Sequence, residues 1–122
     1  MNMILAIALG GGVGSVARHY AIAAFGNGFP YGTLFVNVLG SFIIGALMEL
    51  MAQKWQVPLE ARAFLVTGFL GGFTTFSAFS FDVLKLVETD HYLAALFYVL
   101  ASVTVSLGAV FLAVHLIRGV LS

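Results

Sequence analysis

The sequence predicts an all-α integral membrane fold of four transmembrane helices, with the third helix broken near mid-membrane. Three observations predict it. Hydrophobic residues make up 61% of the 122 positions and charged residues only 8%, far from the balance of a soluble domain. The charged side chains leave charge-free windows at 1–17, 30–48, 63–81 and 91–117, and a helix needs roughly 20 apolar residues to cross a bilayer. Finally, Gly71-Gly72-Phe73-Thr74-Thr75 interrupts the third window with poor helix formers.

The spans, at about residues 3–25, 32–52, 62–85 and 92–118, fill a single transmembrane domain, 1–122. The first has no basic flank of the kind a secretory signal carries, and it runs through Arg18 into further apolar sequence, so it reads as a permanent span. Gly26-Asn27-Gly28-Phe29-Pro30 supplies turn chemistry before the second span, residues 53–60 with Pro58 follow it, and Val87-Glu88-Thr89-Asp90 separates the third from the fourth. Each linker is too short for a domain. Trp55, Tyr31 and Tyr92 stand near span ends, where amphipathic rings favour the headgroup layer. Small residues recur four apart at Gly10/Gly14, Ser41/Gly45 and Gly68/Gly72, the spacing that lets helix backbones approach closely in lipid. The chain has no cysteine, so neither disulfides nor thiolate metal sites contribute. Zero net charge argues against nucleic acid as a partner.

With both termini on one side, that side holds Lys54, Arg62 and Arg118, and the other holds Arg18 and Lys85. The Lys/Arg imbalance of short loops sets which way a chain inserts. So small a difference permits both orientations, and with them an antiparallel, dual-topology homodimer; a weak bias that still selects one orientation is the alternative. Helices of this length fill the centre of their own bundle with side chains, so transport favours at least a dimer.

Polar groups inside a bilayer are costly without partners, and their placement is the best pointer to function. Thr33, Asn37 and Ser41 share one face of the second span, as do Tyr98, Ser102 and Ser106 in the fourth. Such stripes suit a track for something hydrophilic. Equally, hydroxyls bond to their own helix carbonyls or across helices, and that is the preferred reading of Ser102. Asn37 stands apart, because its amide has more donors and acceptors than one neighbour usually satisfies, and burying it unpaired costs several kcal/mol.

In the third span, a break near Gly71-Gly72 frees carbonyls that must be satisfied by protein, by cavity water or by a cation. A buried Na+ is chemically reasonable there. Beyond it, Phe76 and Phe79 share a face, interleaved with Ser77 and Ser80. The positive edge of a phenyl ring favours a small anion and its negative face a cation, although Phe in an apolar span most often simply packs.

The segment 71–80, Gly-Gly-Phe-Thr-Thr-Phe-Ser-Ala-Phe-Ser, resembles the third-span signature of the Fluc (CrcB) fluoride channels. The likeness extends to the Gly-rich first span ending at Arg18, to Gly32-Thr-Leu-Phe-Val-Asn37, and to Tyr98 with Ser106. It implies a passive fluoride channel, multi-pass in the inner (plasma) membrane, built as a dual-topology homodimer with two antiparallel tracks around a structural Na+. On this resemblance the carbonyls of Gly71 and Thr74 hold the Na+. Phe76 and Phe79 are the pore phenylalanines, Asn37 orients or contacts the anion, and Tyr98 and Ser106 face the track. Thr33, Ser77 and Ser80 complete the candidate pore set, and Arg18, near one mouth, either draws anions inward or anchors at the interface. Ala78 departs from the Thr frequent in the family, so that position offers no hydroxyl.

Neutral donors replace an ion's hydration without trapping it as a buried Lys or Arg would. The competing class is a small proton-coupled multidrug exporter of the four-helix, dual-topology type, which needs a carboxylate within the bilayer. Glu49, at the end of the second span, is the nearest one. A non-transporting scaffold leaves Asn37 and the break without a purpose. An enzyme is not expected, since His19, His91 and His115 are widely separated and neither a metal-ligand cluster nor a nucleophile–base pair is present.

Overall fold

A computed structural model describes residues 2–121. Helix α1 (Met3–Ala23) starts on Asn2, whose Oδ1 accepts from the amides of Ile4 (2.7 Å) and Leu5 (3.4 Å) and so satisfies two orphan donors of the first turn. Gly26 and Gly28 turn the chain with positive φ, and α2 (Tyr31–Gln53) begins just after Pro30. The third span is composite. It runs from α3 (Leu59–Arg62) through a π-helical stretch, π1 (Ala63–Leu70), into the short α4 (Gly71–Phe73). After an interruption, α5 (Phe76–Glu88) follows. Thr89 closes α5 by donating its hydroxyl to Lys85 O at 2.8 Å, and α6 (Tyr92–Leu121) returns along α2.

Among the described residues three stretches are long and apolar enough to cross a membrane: Tyr31–Gln53, Leu59–Glu88 and Tyr92–Leu121. Helix α1 has 21 residues, but four glycines together with Arg18 and His19 dilute its apolar content.

Two close contacts organise the bundle. A Cβ on Gly10 or Gly14 would strike the backbone oxygens of Phe64 and Phe69, and one on Gly68 or Gly72 those of Ile7 and Gly11. The backbones of α1 and of the third span therefore lie against each other, as their small-residue spacing predicts. On the other side, Gly45 admits the α6 backbone at Val110, and Val36 and Tyr98 are fully buried. Among the described residues the one ion pair joins Arg118 Nε to Glu49 Oε1 at 2.9 Å, and Gln53 Nε2 donates to the same oxygen at 2.9 Å. It ties the end of α2 to the end of α6.

The interruption falls slightly later than the glycine doublet. Gly71 and Gly72 remain helical, with Gly72 held against α1; Thr74 (φ −87°, ψ 157°) and Thr75 (φ −154°, ψ 121°) are extended instead. Gly72 supplies a close approach to α1 and the β-branched pair supplies the break. The π stretch ahead of it, a conformation that recurs at functional sites, leaves no mark in the residue pattern.

Candidate functional site

The site is built on the break. Asn37, one turn into the apolar part of α2, turns its amide onto the Thr75 peptide: Oδ1 accepts from Thr75 N at 2.7 Å and Nδ2 donates to Thr75 O at 3.0 Å. A side chain thus completes what the helix does not, which is how irregular backbone survives at membrane depth. Thr75 Oγ1 in turn accepts from Ala78 N at 3.0 Å and caps α5. These two contacts redirect two donors. In an unbroken helix Thr75 N–H would bond to Gly71 O, and Ala78 N–H to Thr74 O; here both N–H groups are turned to side chains, and both carbonyls lose their helical donors. Thr74 Oγ1 donates to Leu70 O at 2.9 Å, so its own hydroxyl is spent on the helix behind it.

Beside the break lies an open cavity of about 520 Å³. Asn37 and Ser41 of α2, Gly71 and Thr74 of the third span, and Ser102 and Ser106 of α6 contribute to its wall, with Phe76 and Phe79 at its side. No charged side chain lines it. Asn37 keeps one N–H uncommitted after bonding to Thr75, because a primary amide has two. Ser102 Oγ is, among the described residues, the buried side-chain oxygen without a hydrogen-bond partner. Buried hydroxyls are normally satisfied, so Ser102 is an exception on the cavity wall. Phe76 and Phe79 pack with ring centroids 5.4 Å apart at 51°.

Of the sequence-predicted residues, Asn37, Phe76, Phe79, Ser106, Gly71 and Thr74 come together here. Tyr98 stands behind Phe79, their rings 5.1 Å apart, and donates its hydroxyl to Asp82 Oδ2 at 3.0 Å. Thr33, also buried, lies next to that hydroxyl. Ser77 and Ser80 are exposed: Ser77 Oγ lies 3.3 Å from Thr75 Oγ1, and Ser80 Oγ bonds back to Phe76 O at 3.0 Å. Arg18 lies in the last third of α1 and does not line the cavity. Glu49 is tied to Arg118 and Gln53, away from the cavity wall. Residue reasoning gave Ser102 a hydrogen-bonding role only and Thr75 no role beyond the break, and it passed over Asp82. Asp82 had a visible signal, since it is an acid one turn beyond Phe79 at the edge of an apolar window.

The profile of the family described as "CrcB-like protein, Camphor Resistance (CrcB)" matches residues 5–114. Curated proteins similar to this chain include the "Fluoride-specific ion channel FluC" of Granulibacter bethesdensis, 49% identical over 97% of this chain and 96% of that protein. The protein of the same name from Rhodospirillum centenum is 50% identical over 97% of each chain. That from Rhizobium johnstonii is 46% identical over 97% of this chain and 98% of its own.

Proposed function

The chain belongs to the CrcB family and is a fluoride channel, and we propose that the anion travels along the cavity beside the Thr74–Thr75 break. The observation that carries this reading is a mostly apolar cavity into which a few neutral donors reach, among them the unpartnered Ser102 hydroxyl, with no charged side chain. Fluoride is small and holds its water tightly. Hydroxyls of Ser41, Ser102 and Ser106 and the free N–H of Asn37 replace that water by hydrogen bonds, and their neutrality lets the ion leave again. The ring edges of Phe76 and Phe79 add a weakly positive, non-trapping boundary. Asp82 holds the Tyr98 hydroxyl, so Tyr98 acts first as the support behind Phe79.

The rest of the assembly follows from what one chain leaves open. Phe76 is 77% exposed, and Gly71 and Ser77 are exposed beside it, polar backbone and hydroxyl that lipid does not satisfy. A second copy covers them. With Lys54, Arg62 and Arg118 set against Arg18 and Lys85, insertion both ways supports an antiparallel homodimer of four-span subunits with two tracks. The carbonyls of Gly71 and Thr74, deprived of their helical donors, form a donor set of neutral hard oxygens that suits Na+, and a two-fold axis doubles it. A Na+ there would be structural, bridging the two breaks. The channel is passive, multi-pass in the inner membrane, and sheds F− that enters as HF and dissociates.

The test is anion efflux from liposomes holding the purified protein. Fast F− release with little Cl− release is expected, and comparable rates for the two ions would remove the neutral-donor argument. Glu49→Gln should leave F− efflux intact, because that carboxylate is bound to Arg118 and Gln53.

A further inference from the structure

Between α2 and α3 the chain is non-helical over residues 55–58, and it forms a concavity of about 490 Å³ lined by Met51, Trp55, Gln56, Val57, Pro58 and Arg62. Its place is set by its neighbours. It joins the stretches Tyr31–Gln53 and Leu59–Glu88, both apolar enough to cross a membrane, so it sits at the level of lipid headgroups. The side chains around it are of two kinds. Among the described residues the Arg62 guanidinium has Met48 Sδ at 3.9 Å as its hydrogen-bond partner, a weak acceptor, and Lys54 is in no ion pair. Arg118, at the same end of the molecule, is by contrast neutralised by Glu49. Glu60 is the one carboxylate of the linker. Against these cations stand Trp55, 45% exposed, with Met51 and Val57.

We propose that this concavity binds the headgroup of an anionic phospholipid. The guanidinium of Arg62 takes the phosphate, for which its fork of donors is suited, and the Gln56 amide donates beside it. Lys54 adds charge at the rim, where basic side chains draw anionic lipid. Trp55, Met51 and Val57 cover the glycerol and the first acyl carbons, as interfacial aromatic residues do. Free phosphate has the same charge but nothing to set against that apolar wall, so the lipid is the occupant.

Trp55 is the only tryptophan, and its emission reports on this site alone. The full-length protein is reconstituted in phosphatidylcholine vesicles containing equal mole fractions of either dibrominated phosphatidylglycerol or dibrominated phosphatidylcholine. The expected result is stronger quenching by the brominated phosphatidylglycerol, equivalent to roughly fivefold local enrichment, which is what one basic side chain near the surface supplies. Arg62→Gln should reduce it to the phosphatidylcholine level while fluoride efflux persists, Lys54→Gln should reduce it partly, and inorganic phosphate in the buffer should leave it unchanged. Equal quenching of the parent protein by the two lipids overturns the proposal. So does an excess that survives Arg62→Gln, or one that inorganic phosphate displaces, which would make the site one for free phosphate. Should Arg62→Gln fail to fold, the parent comparison and Lys54→Gln decide the matter.

Discussion

Replacing Asn37 by Ala removes the pair of hydrogen bonds, 2.7 and 3.0 Å long, that hold the Thr75 peptide outside the helix. The donor and the acceptor left behind lie in a part-buried place, and each such group costs about 1–3 kcal/mol to strand. If the backbone stays extended, the loss is about 2–6 kcal/mol. If instead Thr75 N–H returns to Gly71 O, part of that is recovered, but the break closes and the Gly71 carbonyl is no longer free. Both outcomes impair F− efflux, and both change unfolding in detergent followed by far-UV circular dichroism. Ser41→Ala is the control, because Ser41 lines the same cavity one turn further along α2 and its hydroxyl has no role in the break. It should slow efflux with little change in unfolding. The reasoning fails if Asn37→Ala unfolds like the parent while losing efflux, since Asn37 would then act on the ion and not on the peptide.

Gly14→Leu places a side chain into the backbone of Phe69, where no flexible group can give way; separation of α1 from the third span should cost more than about 2 kcal/mol and appear as lost folded yield by size exclusion. Gly12→Ala meets nothing within 4 Å and should raise stability by about 0.5–1 kcal/mol through helix propensity, read by the same unfolding transition. Ser102→Ala removes a buried hydroxyl that has no partner, a change that is neutral or stabilising for the fold. It should nonetheless slow F− efflux, and a destabilised variant would show that the hydroxyl has a structural bond. Phe76→Ile, at a position 77% exposed on one chain, should lower efflux in liposomes while leaving the monomer's helical content unchanged.

Much of this arrangement was legible because membrane depth leaves few options for a polar group. Asn37 drew notice as a costly amide in an apolar window, and the structure finds it bonded at the break. The third span was marked as a poor helix by composition, and its interruption lies within the five residues named. Glycines four apart predicted backbone contact, and the α1 interface uses all four of Gly10, Gly14, Gly68 and Gly72. What propensity does not separate is why a glycine is present. Gly72 has the same low helix preference as any glycine, yet it is helical and lies against α1, and the interruption falls on the threonines that follow.

Residue type taken one side chain at a time says little about where a hydroxyl bonds. A serine in an apolar helix is expected to bond to its own helix or across helices, yet the Ser102 hydroxyl has no partner among the described residues, whereas Ser80, a candidate pore hydroxyl, bonds to its own helix at Phe76 O. The two residues differ in surroundings and not in type. The same is true of Tyr98. By spacing alone its hydroxyl is free for an anion, but in the structure Asp82, 16 residues away in sequence, accepts it at 3.0 Å. On the proposed path this bond gives Asp82 a supporting place without contact with the ion, which a carboxylate would repel. The carboxylate stays behind the aromatic wall, holds Tyr98 against Phe79, and leaves the cavity side to neutral donors. A path that passes a small anion without trapping it needs both features, and on the path proposed above only the three-dimensional arrangement puts the acid where it supports the wall and leaves the cavity open.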